Sequence, residues 1–524
     1  MKKPFLPVGV QNFETIRTGN FVYVDKTRHL YEMAEPPQAF YFLSRPRRFG
    51  KSLAVSTFKS LFEGKKDLFD GLWLSRHGDW EWKEHPVVVI DFNTIPHQRP
   101  DIMREALTLD LKGTAERYGV VLETRFVETQ FQELIIGLEK KFGTGVAVLV
   151  DEYDKPIISH LGKGEKALEI ARENRDIMKY FFGVLKGARV SPCLRFVFFT
   201  GVSKFSRVSI FSELNNLEDI SMTEDHADML GYSQAELEQC FSDFIPSLAD
   251  KLGLSEGDAI RKLGDYYNGY RFSAKEVRVY NPFSVLSALK QKDFGNYWFE
   301  TGTPTFLVNL LRETRFPLPM IEDLQTDKAS FSTYEIDNLK PEALLFQTGY
   351  VTIRHVEDGI YHFDYPNQEV KTAFLKHLLF SFVEENEAYS RILRLSALLR
   401  AERLDDFFES MTAIFAAIPY TLKTERNEAW FHTIFYLMVS ASAGAAARSE
   451  VLHYRGRIDM VVEYADRLYI IEFKCNQSAD AALKQIHERG YADMYRQSGK
   501  KLILLGVNFD ADKRNVAEWK AETP

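Results

Sequence analysis

Four short apolar runs constrain the fold of this chain most: Phe40–Leu43, Val87–Ile90, Val146–Val150 and Phe196–Phe199. Each is nearly continuous in apolar residues, as expected for strands covered on both faces. Helical segments separate them, and this alternation builds a parallel α/β sheet. From about Thr223 to Arg400 the pattern is mainly helical, with one hairpin expected around Gly349–Ile353 and Tyr361–Phe363. From about Glu402, helices precede two strand-like runs, Ile458–Val462 and Ile470–Lys474. The expected class is α/β, and 524 residues suggest about three domains. We place them at 1–222, 223–400 and 401–524.

A net charge of −8 and a pI of about 5.9 provide no global field for nucleic acid, so any such surface has to be a local basic patch. Three scattered cysteines, Cys193, Cys240 and Cys475, form no CxxC pair; they argue against zinc and favour a reducing compartment. The start of the chain lacks the apolar run of a signal peptide. The most apolar stretch, Phe431 to Ala447, falls short of the roughly 20 residues of a membrane span and reads as a buried helix. A cytoplasmic protein with no membrane partner is expected, and a homo-oligomer is left open.

After the first strand comes Ser44-Arg45-Pro46-Arg47-Arg48-Phe49-Gly50-Lys51-Ser52, then a helical segment. A loop feeding a helix N-terminus offers backbone N–H groups to phosphate oxygens, Lys51 neutralises their charge, and the Ser52 hydroxyl suits Mg²⁺. The generic pattern has a glycine where Arg45 stands. The strand Val146–Val150 runs into Asp151 and Glu152, an Asp for the magnesium shell and a Glu to orient water. The strand ending at Thr200 is expected between the other two, with Thr200 as a γ-phosphate sensor or a plain strand end. Arg207 reads as a surface charge.

A second cluster lies near the C-terminus: Asp459, then Glu472 and Lys474. Two apart on a strand, Glu472 and Lys474 emerge from the same face. Burying them among Val, Ile and Phe costs several kcal/mol unless they are paired or bind metal. Two acids beside a lysine suit a divalent cation and a phosphate.

Taken together, these residues resemble a bacterial family joining an AAA-ATPase-like domain to a C-terminal PD-(D/E)XK nuclease-superfamily domain. Tyr23-Val24-Asp25-Lys26-Thr27, Tyr267-Asn268-Gly269-Tyr270-Arg271-Phe272 and Tyr280-Asn281-Pro282-Phe283-Ser284 carry the resemblance through the first half of the chain. It implies a P-loop sheet domain, a helical lid or winged-helix-like middle region, and a restriction-endonuclease-like C-terminal domain. ATP and Mg²⁺ are the implied cofactors, held by Arg45, Arg47, Arg48, Phe49, Gly50, Lys51, Ser52, Asp151 and Thr200. Asp25-Lys26-Thr27 would line the base pocket. At the C-terminus, Asp459 and Glu472 would bind metal, Lys474 would help activate water, and Gln485 with Tyr491 would be accessory. The further acid of that site is Glu428 or Glu450. The middle motifs read as packed corners, Arg271 included. The implied activity is ATP-regulated, Mg²⁺-dependent cleavage of DNA or RNA. The alternative is a nucleotide-binding switch whose C-terminal domain binds nucleic acid or a protein without cutting it.

Overall fold

The computed structural model describes residues 3–204, 214, 216–300, 307–308, 310–311, 316, 321–322, 324–332, 339–380, 386–418, 427–442 and 446–524. It divides into two compact units. The first comprises Met1–Leu311, Gln325–His362 and Pro366–Glu369; the second comprises Arg312–Leu324, Phe363–Tyr365 and Val370–Pro524.

The four apolar runs form the centre of the first unit. They are β1 (Ala39–Ser44), β2 (Val87–Asp91), β3 (Val146–Asp151) and β4 (Leu194–Gly201), joined by the two-residue β5 (Glu218–Asp219). The order is β2-β3-β4-β1-β5, and all neighbours run parallel. β4 therefore lies between β1 and β3, as expected. Both faces are covered: Phe196 and Phe198 meet Phe58 of the helix Lys51–Phe62, with ring centroids 4.8 and 5.2 Å away. On the other face Phe199 meets Phe182 of the helix Glu165–Gly183 at 4.8 Å. Two-sided burial explains why these strands read as unbroken apolar runs.

The middle of the chain is mainly helical. Asn281 caps the helix Pro282–Gln291, its Oδ1 accepting from Ser284 N at 3.1 Å with Pro282 in the first turn. The expected hairpin is present as β7 (Thr352–Glu357) and β8 (Ile360–Asp364), in a small sheet with β6 (Gln325–Asp327). The motif at 267–272 packs against the phosphate loop. Phe49 is gripped edge-on by Tyr270 and Phe272, at 4.7 and 5.5 Å.

In the second unit, Glu428–Ala441 is a helix buried from Phe431 to Ala441 except at Thr433, so the apolar stretch is a core element. It leads to a mixed sheet of β9 (Ala446–His453), β10 (Gly456–Glu463), β11 (Arg467–Cys475), β12 (Lys501–Asp510) and β13 (Asn515–Glu522). The order is β13-β12-β11-β10-β9, with only β11 and β12 parallel. The helix Ala479–Arg489 makes the crossover between that parallel pair. Among the described residues, no helix is long and apolar enough to cross a membrane.

Gly269 is the most demanding backbone position of the middle motif. Its φ is +102°, and a Cβ there would collide with the Pro366 carbonyl oxygen. Gly269→Ala should therefore destabilise the first unit by about 2 kcal/mol or more, seen by calorimetry as a lowered unfolding transition.

Candidate functional site

The phosphate loop leaves β1 at Ser44 and enters the helix Lys51–Phe62 through two left-handed residues, Arg48 (φ 65°) and Gly50 (φ 94°). Gly50 is the helix N-cap and meets no cost in this conformation. Lys51 is buried, so its ammonium needs a partner. It lies 3.3 Å from Glu152 Oε1 and donates to the Pro46 carbonyl at 3.2 Å. At the end of β3, burial pushes the Asp151 carboxyl up to about 6, opposed by a hydrogen bond from Ser52. Asp151 Oδ1 is buried with no donor. An acceptor-only oxygen of this kind beside a serine hydroxyl fits a hard divalent cation.

Lys51, Ser52 and Glu152 border a cavity of about 950 Å³. Arg47, Arg48, Phe49, Gly50, Lys51 and Ser52 line it together with Glu152 and Asp154. Tyr23, Val24 and Lys26 also line it. Asp25 instead holds the local fold, accepting from Trp73 N at 2.6 Å and from Thr27 N at 2.9 Å.

Three expected ligands, Arg45, Asp151 and Thr200, are absent from the cavity wall, Asp151 lying buried behind Ser52 and Glu152. Arg45 is fully buried. Its guanidinium donates to the carbonyls of Ser44, Ser221 and His226 at 2.9, 2.7 and 3.0 Å, and sits 4.2 Å from the Phe272 ring centroid. Thr200 is also fully buried, and its hydroxyl donates to the Leu43 carbonyl at 2.9 Å. Arg271 donates through Nε and Nη1 to the carbonyls of Ser273 and Arg354, at 3.0 and 3.1 Å. Arg207 lies outside the described residues.

Sequence reasoning assigned no role to Asp154. It is fully buried, accepts from Ser203 N at 2.7 Å and Ser203 Oγ at 2.5 Å, and is pushed up to about 6, chiefly by burial. The available signal was Gly201, where a Cβ would lie 2.5 Å from Asp154 Oδ1. Asp91, the last residue of β2, and Asn93 just beyond it also border the cavity and were not singled out.

In the second unit, β10 and β11 bring Asp459, Glu472 and Lys474 together. Their ladder pairs Met460 with Ile471. One step further, Phe473 N donates to Asp459 Oδ2 at 2.7 Å, so a carboxylate takes over where the backbone ladder ends. Lys474 Nζ lies 3.2 Å from Glu472 Oε1 and donates to the Phe473 carbonyl at 2.7 Å. Gln485 Nε2, from the crossover helix, also donates to Glu472 Oε1. Tyr491 bonds the Arg457 carbonyl at 2.8 Å. Burial raises both acids, Asp459 to about 7 and Glu472 to about 8; for Glu472 the Asp459 charge adds to the effect. Glu472 Oε2 is buried without a donor.

Residues 7–211 match the family described as Predicted AAA-ATPase, and residues 426–519 match the PD-(D/E)XK nuclease superfamily. A protein of Azotobacter chroococcum mcd 1, described as an uncharacterized protein in vnfD 5'region, is 38% identical over 542 positions and covers 100% of both chains. The chain belongs to this family of AAA-ATPase-like proteins with a C-terminal PD-(D/E)XK nuclease-superfamily domain. The sheet order and the acid pair on β10 and β11 agree with that assignment.

Both candidates for the further acid lie near the pair in this family member. Glu450 stands on β9, with Oε1 3.4 Å from His432 Nδ1 and Oε2 3.5 Å from Arg457 Nη1. His432 is buried and pushed down to about 4 by desolvation, so it is neutral at pH 7. Glu428 opens the helix Glu428–Ala441, and its charge acts on both Asp459 and Glu472.

The raised acids give a pH signature. Folding lifts Asp459 and Glu472 from 3.8 and 4.5 to about 7 and about 8. The metal-free fold thus binds more protons than the unfolded chain between about pH 4 and 8, and loses stability as pH rises through that window. A cation bound by both acids needs them ionised. Mg²⁺ should raise the unfolding temperature of the second unit more at pH 8.5 than at pH 6, and Glu472→Gln should remove the difference.

Proposed function

We propose that this protein binds ATP in its first unit and hydrolyses phosphodiester bonds of DNA or RNA in its second, with Mg²⁺ at both sites and the nucleotide regulating cleavage. The observation that carries the cleavage reading is Glu472 Oε2, a carboxyl oxygen buried without a donor beside Asp459. Bound Mg²⁺ would supply Lewis-acid stabilisation of phosphate charge and an ionisable water. Asp459 and Glu472 would hold it, and Gln485 fixes the Glu472 carboxylate from the opposite oxygen. Lys474 would release Glu472 and place its ammonium at the attacking oxygen.

In the first unit the N-terminus of the helix Lys51–Phe62 and Lys51 would receive the β- and γ-phosphates. Ser52 and Asp151 would hold Mg²⁺, while Arg47 and Arg48 add positive charge. Glu152 orients water once phosphate draws Lys51 away from it. Tyr23, Val24 and Lys26 would enclose the base. The three free cysteines support a reducing, cytoplasmic setting.

One observation favours the non-cutting switch: the Lys474 ammonium is engaged by Glu472 and a backbone carbonyl. Cleavage assays with Mg²⁺ on single-stranded DNA, duplex DNA and RNA, with and without ATP, separate the two readings. Asp459→Ala and Lys474→Ala should each lower cleavage by about 100-fold or more. Equal cleavage by wild type and both variants would sink the nuclease reading. Binding of ATP and nucleic acid without cutting would establish the switch. Lys51→Ala should weaken ATP binding by about tenfold or more in an equilibrium titration.

A further inference from the structure

The β9–β10 turn, which leads along β10 to Asp459, and the segment packed near it carry exposed apolar and aromatic side chains. Leu452 is 60% exposed, Tyr454 73% and Met494 51%. They share a shallow hollow with His453 and Asp493. The His453 ring, tilted by 46°, lies 4.4 Å from the Tyr454 ring between centroids, and the Arg455 guanidinium lies 5.0 Å from the Tyr454 centroid. Large exposed side chains gathered around one hollow, from the end of β9, the turn and the segment 493–495, mark a binding surface.

The surface is tied to the acids. The His453 ring lies 5.3 Å from the Tyr491 ring, and Tyr491 bonds the Arg457 carbonyl, two residues from Asp459. Tyr491 is raised by burial and also feels the charges of Glu472 and Asp459, so it stands between the turn and the pair. The turn is held in place: Arg489 Nη1 donates to the Arg455 carbonyl at 2.7 Å, and a Cβ at Gly456 would meet the Tyr491 hydroxyl at 3.0 Å. Arg455 and Arg489 are both exposed, while the acid of the hollow, Asp493, is bonded by Arg496 at 2.8 Å.

We propose that the β9–β10 turn is a stacking platform for unpaired nucleobases, with Tyr454 as its central ring, so that single-stranded or frayed nucleic acid is the substrate class presented to Asp459 and Glu472. An exposed flat ring with the Arg455 guanidinium against it and Arg489 bonded to the same turn matches a chain of bases on a phosphate backbone. Paired bases inside a duplex keep their faces stacked on each other and offer no equivalent contact. The inference rests on the phosphodiester reading of the acid pair, and it adds a substrate preference that the pair alone does not give.

The test is equilibrium binding of the full chain to labelled single-stranded DNA, single-stranded RNA and blunt duplex DNA, with Ca²⁺ in place of Mg²⁺ to limit cleavage. Wild type should bind a single strand about tenfold or more tightly than the duplex. Tyr454→Ala should weaken single-strand binding by roughly 5- to 100-fold, with little change for the duplex, and Tyr454→Trp should restore it. Normal ATP binding by the variants checks folding of the first unit, and unchanged circular dichroism checks the second. Single-strand binding indifferent to Tyr454→Ala, or a preference for duplex, overturns the platform while leaving the acid-pair reading intact. If no nucleic acid binds even to wild type, both readings fall together. If Tyr454→Ala changes only the oligomeric state, the surface belongs to a second copy of the chain and the proposal is wrong.

Discussion

A carboxylate held inside an apolar sheet is unstable as an anion unless something positive meets it. Both units are organised around that constraint. Each sets acids into or just beyond dense apolar strands, Asp151 and Glu152 at the end of β3, Asp459 and Glu472 within the paired β10 and β11. In each, a lysine two or more residues away along the chain or across it answers only part of the charge. Lys51 reaches Glu152, and Lys474 reaches one oxygen of Glu472, leaving Asp151 Oδ1 and Glu472 Oε2 without donors. The remaining mismatch is what a cation would answer at each site under the proposed function.

Precise placement of these acids comes from backbone geometry more than from other charges. On β11, the Phe473 amide that would continue the ladder turns to Asp459. That one bond sets the spacing of the acid pair, because it ties a side chain of β10 to the main chain of β11. In the first unit, Asp154 is fixed by amides in the same way, from Val202 at 3.1 Å and Ser203 at 2.7 Å. Thr200-Gly201-Val202-Ser203 therefore works largely through its backbone.

Local pattern made much of this legible. Unbroken apolar runs identified the parallel sheet because two-sided burial leaves no room for polar alternation. Period two put Glu472 and Lys474 on one face, and the strand-to-helix step at Gly50 placed Lys51 and Ser52. What sequence did not reveal was the direction of side chains whose partners lie far along the chain. Arg45 sits among arginines in a phosphate loop, yet carbonyls near 221 and 226 turn it inward. Thr200 bonds a neighbouring strand, and Asp154 owes its burial to residues some fifty positions later. Motif spacing carries no information about such partners.

Arg45 has a mechanical consequence. Its fork grips the end of β1 and the segment after β5, while Phe272 covers its face and Phe49, four residues on, is clamped by Tyr270 and Phe272. The phosphate loop is thereby riveted to the middle motif at two points. Any tilt of the loop must turn that motif with it, as a crank turns its shaft, and a lysine in place of Arg45 would keep the charge but leave only the Phe49 clamp to couple them.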